Sequence, residues 1–321
     1  MKKKIILLFK LLIVFLIFLY LFKTEKLTIQ SLSFFINEPF YSLIIFIIMI
    51  CLSVPIVSIR WIIILHKMKF SKQSFYKIFC LTMISQFFAI FLPGAPTSDL
   101  TKGYYLHNEK TGKTKIYLSI LIDRLTGLYG IIIIFIFLYI YNYDFLTKNI
   151  YVSYFGNFLI FVFILSNLIF FTIRKKMENY INNINKNFVI NKLILILRAI
   201  DELDSETFIK AIGISIINQI FLIFMFLILN YYFVTKNIVE LISISTLIPI
   251  GEITSVIPVA PIGIGIGHIS FEKLFNLYNF QNGANVFNTF ILLKILLGLF
   301  GGFFYIFYTK QEKKNTSQDV R

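Results

Sequence analysis

Cysteine and histidine are scarce, with two and three copies in 321 residues. Cys51 and Cys80 lie in apolar tracts. They fit packing positions rather than a disulfide framework. His66, His107 and His268 are scattered, so no metal set and no cofactor is expected. Acid is also sparse, 16 Asp and Glu against 31 Lys and Arg, for a net charge of +15. Catalytic signatures are missing as well. There is no Ser-His-Asp arrangement, no H-E-x-x-H and no paired-aspartate metal motif, so an enzyme is not expected. The stretch IPVAPIGIGIGH (257–268) comes near G-x-G-x-x-G. However, His268 stands where the last glycine must be, and no strand precedes it, so no dinucleotide site is expected.

Apolar residues are abundant, at 58% of the chain with a mean hydropathy of +0.80. Soluble domains average nearer 45–50%. Several runs approach the roughly 20 residues that cross a bilayer core. The expected class is an all-α polytopic membrane protein. Its basic excess then serves to hold loops on the cytoplasmic side and to meet anionic lipid; a nucleic-acid partner is not expected.

Six segments look able to span: about 5–22, 40–59, 116–141, 154–173, 208–234 and 286–309. The first follows MKKK but lacks a small-residue cleavage site, so it reads as an uncleaved helix. Two further segments are awkward. Phe79–Leu92 has 14 residues, about 21 Å as a helix, and runs into Pro93-Gly94-Ala95-Pro96. Leu241–Val259 is interrupted by Pro249, Gly251 and Glu252, and then meets Pro258, Pro261, Gly263 and Gly265.

Loop charge assigns the sides. Residues 1–4, 60–77 (with Arg60), 102–115 (with Lys102), 174–207 and the tail 310–321 are basic and expected inside. The two awkward segments then begin and end on one side each, and are expected to be re-entrant. A surface helix is expected at about Lys192–Asp204. The result is one membrane domain, 1–309, built as inverted repeats of about 1–142 and 153–309, with both termini cytoplasmic at the inner (plasma) membrane. Broken helices in such repeats meet near the midplane and form the site. No soluble domain is expected after Tyr308.

Several motifs carry a family resemblance. FLPGAPTSDLTKGYYL (91–106) is similar to F-L-P-G-x-x-G-G-D-x-x-R through Pro93, Gly94 and Asp99, with Lys102 in place of arginine. ILIDRLTGLYG (120–130) is similar to a D/E-R-x-x-G-L motif through Asp123, Arg124, Gly127 and Leu128. PVAPIGIGIGH resembles a late P-x-x-P-x-G-x-G element, with His268 where many members carry glutamate. Arg60-Trp61 resembles an early Arg-Trp pair. Together they resemble the membrane domain of the lysylphosphatidylglycerol synthase/flippase family, as a stand-alone member lacking the synthase domain. The resemblance implies lipid handling.

The residues themselves supply candidates. Asp99 and Lys102 are three apart and share a helical face. Asp123 and Arg124 lie inside a membrane helix, where ionisable groups face the protein interior or water. Arg124 suits a phosphate through its planar fork. Glu252 is expected at a cavity, paired with Arg124 or receiving a cationic head group. Lys294 is expected near the outer third of the last span, either as a contact or snorkelling outward. His268 is a pH-sensitive contact or a structural hydrogen bond, and Glu272, one turn on, is its expected partner. Pro93, Gly94, Pro258, Pro261, Gly263 and Gly265 are the expected hinges, with backbone N–H groups at Gly263–His268 offered to a phosphate. Asn218 and Gln219 are expected to hydrogen-bond between helices.

The expected function is flippase-like transport of an anionic phospholipid or polyprenyl-linked head group. The alternative is an accessory protein for envelope glycolipid or polysaccharide synthesis. Expected partners are membrane lipids, lipid-linked glycans and envelope-biosynthesis enzymes.

Overall fold

The computed structural model describes residues 29–92, 95–107, 112–181, 204–255, 262, 263 and 265–318, without the side chains of 29, 30, 95, 96, 169–181 and 309–318. The expected first span, the surface helix before Asp204, and the hinges Pro93, Gly94, Pro258 and Pro261 lie outside the described residues. Among those described, every regular element is helical.

The chain opens with α1 (Ile29–Asn37) and α2 (Pro39–Ile48). A π-helical turn, Met49–Ser53, leads into α3 (Val54–Lys67) without a break. The cause is Pro55, which lacks an N–H for the carbonyl four residues back. A π-bulge absorbs such a mismatch and lets the helix continue. The whole stretch Pro39–Lys67 is 29 residues long and apolar enough to cross a bilayer. This corrects one expectation. Arg60 is not a loop charge but a buried residue inside α3.

Next come α4 (Phe75–Ala89) and α5 (Ala95–Leu106). Ser74 caps α4 by accepting from the Lys77 N–H. Lys102, expected in the following loop, is instead buried within α5. This helix is polar inside and apolar outside. Ser98, Asp99 and Lys102 face the protein, while Leu100 and Tyr104 are exposed. An inverted face of that kind suits lipid and not water.

The long helices α6 (Lys113–Tyr141), α8 (Ile150–Ile181), α9 (Ser205–Phe233) and α13 (Gly283–Gln318) contain the remaining expected spans. A short α7 (Tyr143–Leu146) joins α6 to α8. The second awkward segment forms α10 (Ile238–Ser245) and α11 (Leu247–Ser255), followed by α12 (Ile266–Leu277). Taken together, Ile238–Ser255 is an 18-residue stretch apolar enough, by length and composition, to cross. Six stretches among the described residues therefore meet the length and composition of a span.

Close packing positions the broken helices. α4 lies along α13, α3 and α9 pack together, and α11 contacts α6, α9 and α12. Gly301 permits the first approach, since a Cβ there would sit 2.2 Å from the Met83 carbonyl oxygen. On the other side a stack of rings forms the core, with Phe226–Phe271 centroids at 5.1 Å and Phe271–Phe287 at 5.0 Å. It joins α9, α12 and α13 around buried apolar residues.

Candidate functional site

The first polar cluster is built on Asp99. Its Oδ1 accepts from Ser85 Oγ of α4 at 2.8 Å and pairs with Lys102 Nζ at 2.8 Å. Its Oδ2 accepts the Arg124 guanidinium of α6. One carboxylate thus faces two cations. The Asp99 side chain is 1% exposed, whereas that of Arg124 is 36% exposed. Hence Arg124 is gripped from inside while part of it reaches the surface of the fold. Lys102 is buried and lies 5.5 Å from the Trp61 ring centroid, and the Trp61 indole N–H donates to Ser119 Oγ at 3.1 Å.

Asp123 turns the other way. Adjacent helical residues point about 100° apart, so Asp123 meets α3 while Arg124 meets α5. Arg60 Nε donates to Asp123 Oδ1 at 2.7 Å, and Arg60 NH1 donates to Ser215 Oγ of α9 at 2.9 Å. Both charges are almost wholly buried. Gly127 makes room: a Cβ there would lie 3.1 Å from Arg60 NH1. Asp123 therefore ties α3 to α6 and does not share a ligand with Arg124.

The expected pairing of Glu252 with Arg124 is not what forms. Glu252 lies on α11 facing Lys294 of α13, with Oε2 and Nζ 4.0 Å apart. Its Oε1 is buried without a hydrogen-bond partner among the described residues. Lys294 is the twelfth residue of the 26-residue stretch Gly283–Tyr308. Its Nζ lies 4.4 Å from the Phe290 ring centroid. It also lines a cavity of about 90 Å³ with Ser53, Thr82, Gln86 and Met49. Met49 and Ser53 belong to the π turn, so the irregularity that Pro55 imposes opens onto this space.

His268 closes the start of α12. Its Nδ1 accepts the Gly265 N–H at 3.2 Å and its Nε2–H donates to Asn288 Oδ1 of α13, so the ring holds the Nε2–H tautomer. Glu272 does not pair with His268. It accepts the Ala284 N–H at 2.8 Å and the Asn276 side-chain amide at 3.2 Å, capping the start of α13. Two of the N–H groups expected to face a phosphate are spoken for: Gly265 donates to His268, and Gly267 donates to the Gly263 carbonyl at 3.0 Å. Ile262, Gly263 and Gly265 have φ of 55°, 79° and 95°. A left-handed β-branched Ile262 is strained backbone, of the sort that clusters at functional sites.

Asn218 accepts from Ser53 Oγ at 2.7 Å, the expected interhelical bond, here to the π turn. Gln219 Oε1, by contrast, is buried without a partner among the described residues. Residues that sequence reasoning left out are Ser85, Ser119, Ser215 and Asn288. They are small or neutral polar groups whose roles depend on helices distant in the chain.

Helices of spanning length, an inverted polar face on α5 and buried ion pairs define a multi-pass membrane protein with a charged site inside its helix packing. A family profile described as Lysylphosphatidylglycerol synthase TM region matches residues 7–291. The chain belongs to that family. Comparison with curated proteins and with solved structures gave no match.

Proposed function

We propose that the protein is a flippase-like lipid transporter that takes the phosphate of an anionic phospholipid or polyprenyl-linked lipid at Arg124 and moves it across the cytoplasmic membrane. One observation carries this reading: a guanidinium oriented by a buried carboxylate yet 36% exposed. A planar fork held in place loses little freedom on meeting a phosphate. Lys102 adds a second cation 2.8 Å from the same carboxylate.

The reading includes an inverted repeat with two re-entrant elements, α4–α5 and α11–α12. Three features support it. Each element has an acid, Asp99 or Glu252, facing a cation on the long helix that follows it, Arg124 or Lys294. Each also touches the long helix closing the other half, α4 against α13 and α11 against α6. Finally, the sequence clusters Pro and Gly between the two helices of each element. Rocking one half against the other is then the route for transport. Basic loops and tail support a cytoplasmic side for both termini. The protein acts by binding and conformational change and not as an enzyme.

The test is translocation of tail-labelled phosphatidylglycerol in vesicles containing the purified full chain, read as loss of inner-leaflet protection from a membrane-impermeant quencher. Translocation that falls at least about tenfold in Arg124→Ala is expected, equivalent to about 1.4 kcal/mol at the barrier. A wild-type protein that moves no such lipid overturns the reading and favours an accessory role beside envelope-biosynthesis enzymes.

A further inference from the structure

We propose that Glu252 is a proton-binding group, and that a phosphate arriving at Lys294 causes it to take up one proton. The second half rests on the lipid-phosphate reading above; the first half does not.

The buried ion pairs fall into two kinds. Arg60–Asp123 and Lys102–Asp99 are hydrogen-bonded at 2.7 and 2.8 Å, and Asp99 also accepts from Ser85. Glu252 and Lys294 stand 4.0 Å apart, too far for a hydrogen bond. Glu252 Oε1 has no partner among the described residues, and Lys294 Nζ makes no hydrogen bond among them. A carboxylate buried with an empty lone pair is costly when charged, unless a cation stays close. Protonation converts that oxygen to a donor and removes the cost. The loose pair is therefore the one whose ionisation can change without dismantling the fold.

The cavity reaches the pair at Lys294. Lys294 lines it together with Gln86, Thr82 and Ser53, and its volume of about 90 Å³ admits water beside those polar groups. A phosphate engaged by Lys294 from this side draws off the countercharge of Glu252. The carboxylate then takes up a proton that enters from the cavity by way of Lys294, which alone of the pair lines it, and the site keeps its charge balance. Departure of the phosphate returns the ammonium to Glu252 and releases the proton.

Other charged groups around α11 are committed elsewhere. On α6, Asp123 and Arg124 are held by Arg60 and Asp99. On α12, His268 bonds Gly265 and Asn288, Glu272 caps α13, and Lys273 is exposed. α9 and α10 carry charge only near their ends, at Glu206, Lys210 and Glu240. Among the described residues, Lys294 alone is left to set the ionisation of Glu252.

The experiment measures proton uptake by a pH dye when tail-labelled phosphatidylglycerol is added to the full chain in weakly buffered detergent between about pH 5 and 9. A second arm adds inorganic phosphate alone. About one proton per protein is expected for wild type and none for Glu252→Gln, which still binds the lipid. Affinity in wild type should change up to tenfold per pH unit where uptake occurs. Uptake with inorganic phosphate also supports the site and makes its phosphate source soluble. Equal uptake by wild type and Glu252→Gln overturns the proposal, as does lipid binding by wild type with no uptake at any pH. If wild type binds neither ligand, the lipid-phosphate reading fails by itself. Infrared titration then decides the proton site. A protonated-carboxyl band that titrates in wild type and is lost in Glu252→Gln supports it, and its absence from wild type overturns it.

Discussion

Arg124 and Asp99 are 25 residues apart in sequence and belong to different helices, yet the guanidinium of one closes on Oδ2 of the other. The acid is buried, and it keeps Lys102 on its second oxygen. Removing Arg124 therefore leaves Asp99 with a cation. Arg124→Ala should lower lipid translocation about tenfold or more while shifting thermal unfolding in detergent little. Arg124→Lys keeps the charge without the fork, and its rate should fall between the two. Equal losses of stability and transport in Arg124→Ala would mean that the residue only braces the fold.

Arg60 and Asp123 form the structural counterpart. Both are buried and joined at 2.7 Å. Arg60→Ala leaves Asp123 charged in a dry site and should cost roughly 3–5 kcal/mol. Arg60→Met with Asp123→Leu removes both charges and should recover most of that loss. Thermal unfolding of the single and double variants measures the coupling. Additive losses would contradict the pairing.

Gly301 lets α13 approach α4 so closely that no side chain fits against the Met83 carbonyl. Gly301→Val should destabilise by at least about 1–3 kcal/mol through overpacking. A matching change at Gly213, which has nothing within 4 Å, should be tolerated better. Melting temperatures of the two variants, compared side by side, check this.

His268 braces the strained turn at Ile262–Gly265. His268→Ala frees the Gly265 N–H and the buried Asn288 carbonyl together. A loss of about 1–3 kcal/mol is expected from two unmade bonds. Hydrogen exchange should quicken at the first turn of α12. Unchanged exchange there would show that the ring does not hold the turn.

At the end of α3, Lys67 Nζ pairs with Asp204 Oδ2 at 2.7 Å, and the same acid caps α9 through the Thr207 N–H. The hydrogen bond from Lys67, then those from Thr207, hold the Asp204 carboxyl well below the usual carboxylate range. Its folded pKa is depressed, so its contribution is present above the unfolded value near 3.9 and is lost as pH falls further. Exchange at the Thr207 amide should quicken only below about pH 4 in wild type, and at every pH in Asp204→Ala. Both residues are well exposed, so the effect is local.

Hydropathy and charge made the spans legible, because lipid demands long apolar helices whatever their partners. They placed 116–141 and 208–234 within a few residues of α6 and α9, and put the starts of 154–173 and 286–309 within a few residues of the starts of α8 and α13. Charge counting failed where charges are buried. Arg60 and Lys102 look like loop residues in a tally, but each has an acid waiting on a packed helix. Asp99, Asp123, Arg124 and Glu252 were visible as costly residues in apolar surroundings. Apart from Lys102 beside Asp99, their partners were not, because Arg60–Asp123 and Glu252–Lys294 are set by tertiary packing across 63 and 42 positions and leave no local period. His268 showed the same limit: its spacing put Glu272 within reach, while the fold supplied Asn288.

Lipid extracted from the purified full chain and identified by mass spectrometry tests the central claim most directly. A phosphate-bearing lipid retained by wild type and depleted about tenfold or more in Arg124→Ala is the predicted result, since each 1.4 kcal/mol of lost contact is a factor of ten in affinity. Equal retention by the two proteins, or a retained lipid that carries no phosphate, would contradict it.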